Sequence, residues 1–94
     1  MLQTVWIVYQ MQFEFDGQKS AANSGKHGID FAAAQVLWED PDRIEIPART
    51  DDEPRLMVSG RIGTRVWSAV ITYRGDSGRI SSVRPANLKE VENL

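Results

Sequence analysis

The chain contains no cysteine among its 94 residues. Disulfide bonds, thiolate zinc sites and catalysis by a cysteine nucleophile are therefore excluded. Its single histidine, His27, also excludes a histidine-rich metal site within one chain. A lack of cysteine suits a reducing compartment. We accordingly expect a cytoplasmic protein that uses neither a metal ion nor a cofactor.

No apolar run in the chain approaches the length of a membrane span. The first ten residues, MLQTVWIVYQ, contain an apolar run, but a span needs about twenty apolar residues. The run also lacks the basic start and the small-residue cleavage site of a signal peptide. We predict no membrane contact. Because Met11 begins a plausible shorter chain, residues 1–11 are interpreted as an N-terminal extension, with an extra strand as the alternative, and residues 12–94 as a single domain.

A surplus of positive charge is absent as well. The 11 lysines and arginines are outnumbered by 13 acidic residues, which gives a formal net charge of −2. The surface as a whole is therefore not built for nucleic acid. The acids crowd into residues 39–53, however, while arginines recur later in the chain: Arg55, Arg61, Arg65, Arg74, Arg79 and Arg84. This distribution is compatible with a locally basic face on an acidic protein.

The first half of the chain has the pattern of one strand and two helices. Alternation of polar and apolar residues predicts a short strand over residues 12–16. Asp16 is placed to cap a helix over residues 17–26, and Gly28 can take the left-handed conformation that ends it. A second helix follows with an apolar stripe, and Pro41 enforces its end.

From residue 43 onward the periodicity changes from helical to alternating. The pattern predicts strands over residues 43–46, 55–61, 65–73 and 79–84, separated by a loop over 48–54 and turns over 62–64 and 75–78. Asn87, with Glu90 three residues later, predicts a capping box and a short last helix. The predicted class is α+β: a short N-terminal strand, two helices packed on a four-stranded antiparallel sheet, and a short C-terminal helix.

An ordered series of residues resembles the BrnT-type toxins. The opening motifs of that family correspond to Phe13, Glu14, Phe15, Asp16, Lys19, Asn23, Lys26, His27, Gly28, Phe31, Ala34, Asp40 and Pro41. Its later segments correspond to Gly60-Arg61, Thr72, Arg74-Gly75 and the strand Arg79–Arg84. The similarity extends from Gln12 to Ala86, with compatible spacings. No single segment is specific, but the ordered set is.

The resemblance implies a toxin of a type II toxin–antitoxin pair. Such a toxin is a metal-independent endoribonuclease with a RelE-like fold, and RNA is its substrate. The resemblance further implies a BrnA-type ribbon–helix–helix antitoxin that neutralises the toxin. Operator DNA would be contacted only through that antitoxin.

The chain departs from the family pattern at several positions. Tyr73 stands between Thr72 and Arg74 where an acidic residue is common, Phe15 replaces a tryptophan, and residues 87–94 are nearly neutral where the family is arginine-rich. These departures motivate a second hypothesis, a non-catalytic relative that acts as a protein-binding module. A small sheet protein of unrelated function is the third.

Arginines are the strongest candidates for RNA chemistry, because a guanidinium is always charged and its donors match phosphate oxygens. Arg61, Arg79 and Arg84 lie on or at the ends of successive predicted strands. Alternation places Ser82 and Arg84 on one face and Arg79 on the other unless a bulge intervenes, so Arg61 and Arg84 rank first. The alternative for each arginine is solvation or pairing with a nearby acid such as Asp76.

The remaining candidates also have two interpretations each. His27 has an ordinary pKa near neutrality and suits acid–base work, or it caps the first helix electrostatically. Lys26 binds phosphate or is simply exposed, and Arg74 and Ser82 are placed as substrate contacts. Tyr73 donates a proton, stacks on a base or is a packed strand aromatic.

The two tryptophans of the predicted domain also have two interpretations. Trp38 and Trp67 belong either to the core or to an apolar patch that faces the antitoxin. The pattern does not distinguish these cases.

Overall fold

The computed structural model describes residues 11–48 and 53–94. The predicted extension over residues 1–11, except Met11, and the middle of the predicted 48–54 loop lie outside the described residues. The elements in chain order are β1 (Gln12–Glu14), α1 (Gly17–His27), α2 (Phe31–Ala34), a 3₁₀ helix (Gln35–Glu39), β2 (Ile44–Ala48), β3 (Arg55–Ile62), β4 (Arg65–Arg74), β5 (Ser77–Pro85) and α3 (Leu88–Glu92). The predicted α+β class is confirmed. Within the described ranges, no helix is long and apolar enough to cross a membrane.

The sheet has five strands in the order β1-β5-β4-β3-β2 and is mixed. Strands β2 to β5 pair antiparallel in chain order, whereas β1 pairs parallel with β5. The prediction of a four-stranded antiparallel sheet is therefore wrong, because it left β1 outside the sheet. A parallel pair needs a long crossover, and the segment between β1 and β5, which contains both helices, provides it.

The ends of α1 follow the local signals in the sequence. The Asp16 carboxylate accepts hydrogen bonds from the backbone N–H groups of Gln18 (2.8 Å) and Lys19 (3.1 Å). Gly28 ends the helix with a φ of 79°, a backbone conformation that glycine adopts without strain. Both predicted boundaries are confirmed to within a residue.

The second predicted helix is only partly α-helical. One turn of α-helix over Phe31–Ala34 tightens into the 3₁₀ helix. At the junction, the backbone N–H of Gln35 donates to the carbonyl groups of both Ala32 and Ala33. Sharing of this kind is common where a helix tightens near its end. Pro41 disfavours helical geometry at Asp40, whose ψ of 114° marks the end of the element.

The hydrophobic core lies between the helices and one face of the sheet. Its buried residues are Ile29, Phe31, Ala34 and Leu37 from the helical half, and Val58, Trp67, Ala69, Ile71, Ile80 and Val83 from the sheet. Asn23 joins the two layers, because its side chain donates to the Ile29 carbonyl (2.8 Å) and accepts from the Val83 amide (3.4 Å). Trp67 is thus a core residue, whereas Trp38 is only half-buried and packs against the core.

The last helix contacts the opposite face of the sheet. Ser68 alternates with the core residues Trp67 and Ala69, and its hydroxyl donates to Glu90 Oε1 of α3 at 2.7 Å. The last helix therefore lies on the face of the sheet opposite α1 and α2. Its capping box, in which Asn87 and Glu90 bond each other reciprocally, is confirmed.

Gly60 is the position where an added methyl group is expected to be most informative. A Cβ there would lie 3.2 Å from Asp40 Oδ2 and 3.3 Å from both Arg43 Cβ and Leu37 Cδ2. We expect Gly60→Ala to lower the free energy of unfolding by about 1–3 kcal/mol, measured by urea denaturation. Gly25→Ala is the matched control, because Gly25 lies in the last turn of α1, where a Cβ would meet no atom of another element within 4 Å, and it should stabilise by about 0.5–1 kcal/mol. Equal losses in both variants would contradict the packing argument.

Candidate functional site

Five of the predicted site residues lie on one face of the sheet. By strand alternation and register, Arg61 of β3, Arg74 of β4 and Arg79, Ser82 and Arg84 of β5 face away from the core. We call this surface the arginine face. Neither α1 nor α2 covers it, because both helices pack on the core side.

A β-bulge brings Arg79 onto the arginine face. The register of β5 against β4 shifts by one residue at Ser81. Ile80 and Val83, three positions apart, therefore both point into the core. Arg79 consequently shares the face of Arg84, whereas strict alternation would place the two on opposite sides. The sequence analysis placed Arg79 on the opposite face unless a bulge intervened, and the bulge is present.

Arg84 is held by a bidentate ion pair with Glu90. Its Nη1 and Nη2 atoms donate to Glu90 Oε1 and Oε2, both at 2.8 Å. Glu90 also accepts from the Ser68 hydroxyl and from the Asn87 backbone N–H, at 2.7 and 3.0 Å. The bonds from Arg84, followed by those from Ser68 and Asn87, lower the pKa of Glu90 to about 2, and Glu90 in turn raises the pKa of Arg84. The guanidinium is therefore fixed in orientation while 43% of its side chain stays exposed.

Arg61 and Arg79 are less constrained. Both are exposed, and their side chains form no hydrogen bond or ion pair with the residues that the structure describes. The backbone of Arg61 is anchored, since its N–H donates to Asp40 Oδ2 at 2.7 Å, and this bond is the main cause of the lowered pKa of Asp40. The two guanidinium groups are thus available to an anion.

A carboxylate that the sequence did not suggest lies beside Arg79. Glu14 of β1 is its cross-strand neighbour in the parallel pair, so both residues lie on the arginine face. Glu14 is exposed. Because β1 was expected to stand apart from the sheet, no local signal could place these two residues together.

Arg74 and Ser82 occupy the same face with different partners. Arg74 Nη2 pairs with Glu53 Oε2 at 3.0 Å, and 60% of its side chain is exposed. Exposed pairs of this kind are weak and exchange readily with another anion. Ser82 is exposed between Arg79 and Arg84 along β5.

The two predicted site residues of α1 are separate from the arginine face. Lys26 and His27 are the last two residues of α1, where Lys26 is exposed and His27 is half-buried. Positive charge at this end of a helix is favourable in itself. Neither side chain forms a hydrogen bond or ion pair with residues in the described ranges.

Tyr73 lies on the core side of the sheet, away from the arginines. Its hydroxyl donates to Glu45 Oε1 at 2.5 Å and accepts from the Trp38 indole N–H at 2.9 Å. Burial, assisted by the bond to Glu45, raises the pKa of Tyr73 to about 12. Tyr73, which stands where the family has an acidic residue, is thus hydrogen-bonded to Trp38 and Glu45 on the core side.

The arginine face can supply much of what phosphate chemistry requires. A fixed guanidinium, that of Arg84, and the two exposed guanidinium groups of Arg61 and Arg79 provide donors and positive charge for phosphate oxygens. The described part of the chain contains no group of three or more histidine, cysteine, aspartate or glutamate residues arranged to hold a metal ion. The sequence suggested Glu90 only as a helix cap, and its role as the partner of Arg84 requires the tertiary structure.

Comparison with known proteins identifies the family of the chain. No curated protein matches the chain. A family model described as the ribonuclease toxin BrnT of type II toxin–antitoxin systems matches residues 15–90. The match contains α1 and strands β2 to β5, but not β1. The chain therefore belongs to the BrnT family of ribonuclease toxins.

Proposed function

We propose that this protein is the toxin of a type II toxin–antitoxin pair, that it cleaves RNA without a metal ion, and that the arginine face binds the RNA. The observation that carries the proposal is the bulge in β5, since it places Arg79 on the same sheet face as Arg61 and Arg84. A RelE-like fold is part of the proposal, because α1 and α2 pack on one side of the antiparallel strands β2 to β5, and only α3, at Ser68 and Arg84, contacts the other face.

The proposed reaction is attack of a 2′-hydroxyl on the adjacent phosphate. The new O2′–P bond closes a 2′,3′-cyclic phosphate as the P–O5′ bond breaks; a base removes the proton of the 2′-hydroxyl, and the leaving 5′-oxygen takes a proton from solvent. The pentavalent transition state gains negative charge on its phosphate oxygens, and preorganised donors stabilise it most. Arg84 suits this role because Glu90 fixes its orientation. Arg61 and Arg79, which are exposed and form no hydrogen bond or ion pair within the described ranges, bind other phosphates of the same RNA strand.

Neighbouring groups complete the proposed substrate contacts. Ser82 and Arg74 lie on the same face and donate to flanking phosphates. Lys26 extends positive charge from the end of α1. The general base is proposed to be Glu14, the cross-strand neighbour of Arg79, and the alternative is His27, which lies apart from the arginine face at the end of α1. Tyr73 is not assigned an RNA contact, because its hydroxyl is bound to Glu45 on the opposite face.

The proposed partner is a BrnA-type ribbon–helix–helix antitoxin in the cytoplasm. It neutralises the toxin, and the complex contacts operator DNA through the antitoxin alone. The net charge of −2 supports the last point, since it disfavours direct binding to duplex DNA. A short downstream reading frame for such an antitoxin would strengthen this part of the proposal.

A second candidate function is retained on a specific observation. The nearly neutral residues 87–94 include Glu90, which occupies both Nη groups of Arg84. A family member whose arginine face is partly neutralised in this way could bind its antitoxin without cleaving RNA. One assay, RNA cleavage by the purified protein, distinguishes the two candidate functions.

We expect the purified protein to cleave single-stranded RNA in the presence of EDTA and to leave products with 2′,3′-cyclic phosphate ends. A matched substrate with 2′-deoxyribose at the scissile nucleotide should resist cleavage, because it lacks the nucleophile. The Arg61→Ala, Arg84→Ala double variant should lose most of the activity. The readout is product mapping on a labelled oligonucleotide.

Three outcomes would overturn parts of this proposal. Cleavage abolished by EDTA contradicts a metal-independent reaction. Cleavage that persists unchanged in the double variant contradicts the arginine assignment. No cleavage by the free toxin at any concentration, together with tight binding to its antitoxin, identifies the non-catalytic binding module.

A further inference from the structure

An open cleft of about 720 Å³ lies on the opposite side of the sheet from the arginine face. The 3₁₀ helix, β2 and the end of β4 form its walls. Three aromatic residues, Phe13, Trp38 and Tyr73, line it together with the charged residues Glu39, Arg43 and Glu45. We call it the aromatic cleft. The proposed RNA chemistry uses none of these residues.

The polar groups of the aromatic cleft are held in a fixed chain of contacts. The Trp38 indole N–H donates to the Tyr73 hydroxyl, which donates to Glu45 Oε1. The Phe13 and Trp38 rings meet edge to face, with their centroids 4.8 Å apart. A phenol is protonated at neutral pH, and burial raises the pKa of Tyr73 further, to about 12, so the hydroxyl is a donor to Glu45. The walls are therefore preorganised before any ligand arrives.

The charge of the aromatic cleft is negative, in contrast to the arginine face. Its lining carries two carboxylates and one guanidinium. Arg43 is already engaged, since Nε donates to Glu45 Oε2 at 3.3 Å and Nη1 donates to the carbonyl groups of Trp38 and Asp40, both at 3.2 Å. Glu39, in contrast, is exposed and forms no hydrogen bond or ion pair within the described ranges. A phosphate would meet net repulsion here, whereas a cation would meet carboxylates and aromatic rings.

We propose that the aromatic cleft binds an arginine side chain from a basic segment of a protein partner. A guanidinium plane stacks on aromatic rings and donates in a fork to carboxylates, so it can use the rings of Trp38 and Phe13 and the carboxylates of Glu39 and Glu45 together. RNA and the protein partner then approach opposite faces of one sheet. The inference stands on the cleft alone and does not depend on ribonuclease activity.

The test follows the indole N–H signal of Trp38 in ¹H–¹⁵N spectra of the full chain, assigned with Trp38→Phe. The probe is the capped peptide acetyl-Gly-Gly-Arg-Gly-Gly-amide, and its matched control carries citrulline, which is neutral and of nearly the same shape. We expect a saturable shift with the arginine peptide and about tenfold weaker binding of the citrulline peptide. Glu39→Gln, a change at an exposed side chain, should weaken binding of the arginine peptide about three- to tenfold. Glu92→Gln, exposed on α3, should not.

Equal affinity for the two peptides, or no saturable shift with either, would overturn the proposal. An oligoribonucleotide that shifts the Trp38 signal at lower concentration than the arginine peptide would also overturn it and would identify the cleft as an RNA site. Full arginine-peptide binding by an RNase-inactive Arg79→Ala variant would show that the cleft functions independently of the arginine face.

Discussion

Replacing Glu90 with glutamine is expected to lower the free energy of unfolding by about 2–3 kcal/mol at pH 7. The change removes the negative charge that faces both Nη groups of Arg84, and it leaves only one carbonyl oxygen for the donors of Arg84, Ser68 and Asn87. Loss of one partner from a fully buried pair costs more, but Arg84 reaches solvent and can be rehydrated. Urea denaturation of both proteins measures the difference.

The same carboxylate predicts a pH dependence of definite sign. The folded-state pKa of Glu90 is about 2, below its ordinary value of 4.5. The stabilisation is therefore complete above the ordinary pKa, and it disappears as the pH falls through 4.5 toward 2. Wild type should lose stability across this interval, and the difference between wild type and Glu90→Gln should shrink toward zero at its acidic end.

Glu92→Gln provides the control for this experiment. Glu92 is in the same short helix and is exposed, so its removal changes the net charge equally without touching the ion pair. Its stability should match that of wild type to within about 0.5 kcal/mol. A similar loss in both variants, or a difference between wild type and Glu90→Gln that persists unchanged at pH 2.5, would show that the Arg84–Glu90 pair does not carry the stabilisation.

The parts of the fold that depend on residues close together in the sequence could be predicted from it. The cap at Asp16, the left-handed Gly28 and the capping box of α3 each involve residues at most four apart, and all three are present. The parallel pairing of β1 could not be predicted in this way. It joins Phe13 to Gly78, 65 positions later in the numbering, and only the packing of the intervening helices brings them together.

The candidate site was predictable in its residue types and not in its geometry. Arginine recurrence identified the members of the arginine face, but the bulge that aligns Arg79 with Arg84 occurs at Ser81, where the residue type gives no signal for a break in alternation. Tyr73 illustrates the opposite case. Its place where the family has an acidic residue suggested a proton donor or a base-stacking contact, whereas alternation within β4 turns its ring to the other face and toward Glu45.

We expect Arg79→Ala to lower kcat/KM for RNA cleavage about 100-fold while leaving the free energy of unfolding within about 0.5 kcal/mol of wild type. The guanidinium is exposed and has no hydrogen bond or ion pair with described residues, so its removal breaks no contact that holds the fold. Arg79→Lys should recover only part of the loss, because an ammonium keeps the charge but lacks the planar fork. Single-turnover cleavage of one defined oligonucleotide separates the loss in the chemical step from a loss in binding.

Arg65→Ala is the matched control, because it removes an arginine from the same sheet on the opposite face. The Arg65 guanidinium lies over the Trp67 ring, 4.9 Å from its centroid. This variant should lose about 0.5–1 kcal/mol of stability and retain the wild-type cleavage rate. The two arginines therefore predict opposite outcomes: lost activity with stability kept for Arg79, and lost stability with activity kept for Arg65. Wild-type cleavage by Arg79→Ala, or an equal loss of activity in Arg65→Ala, would place the reaction elsewhere than on the arginine face.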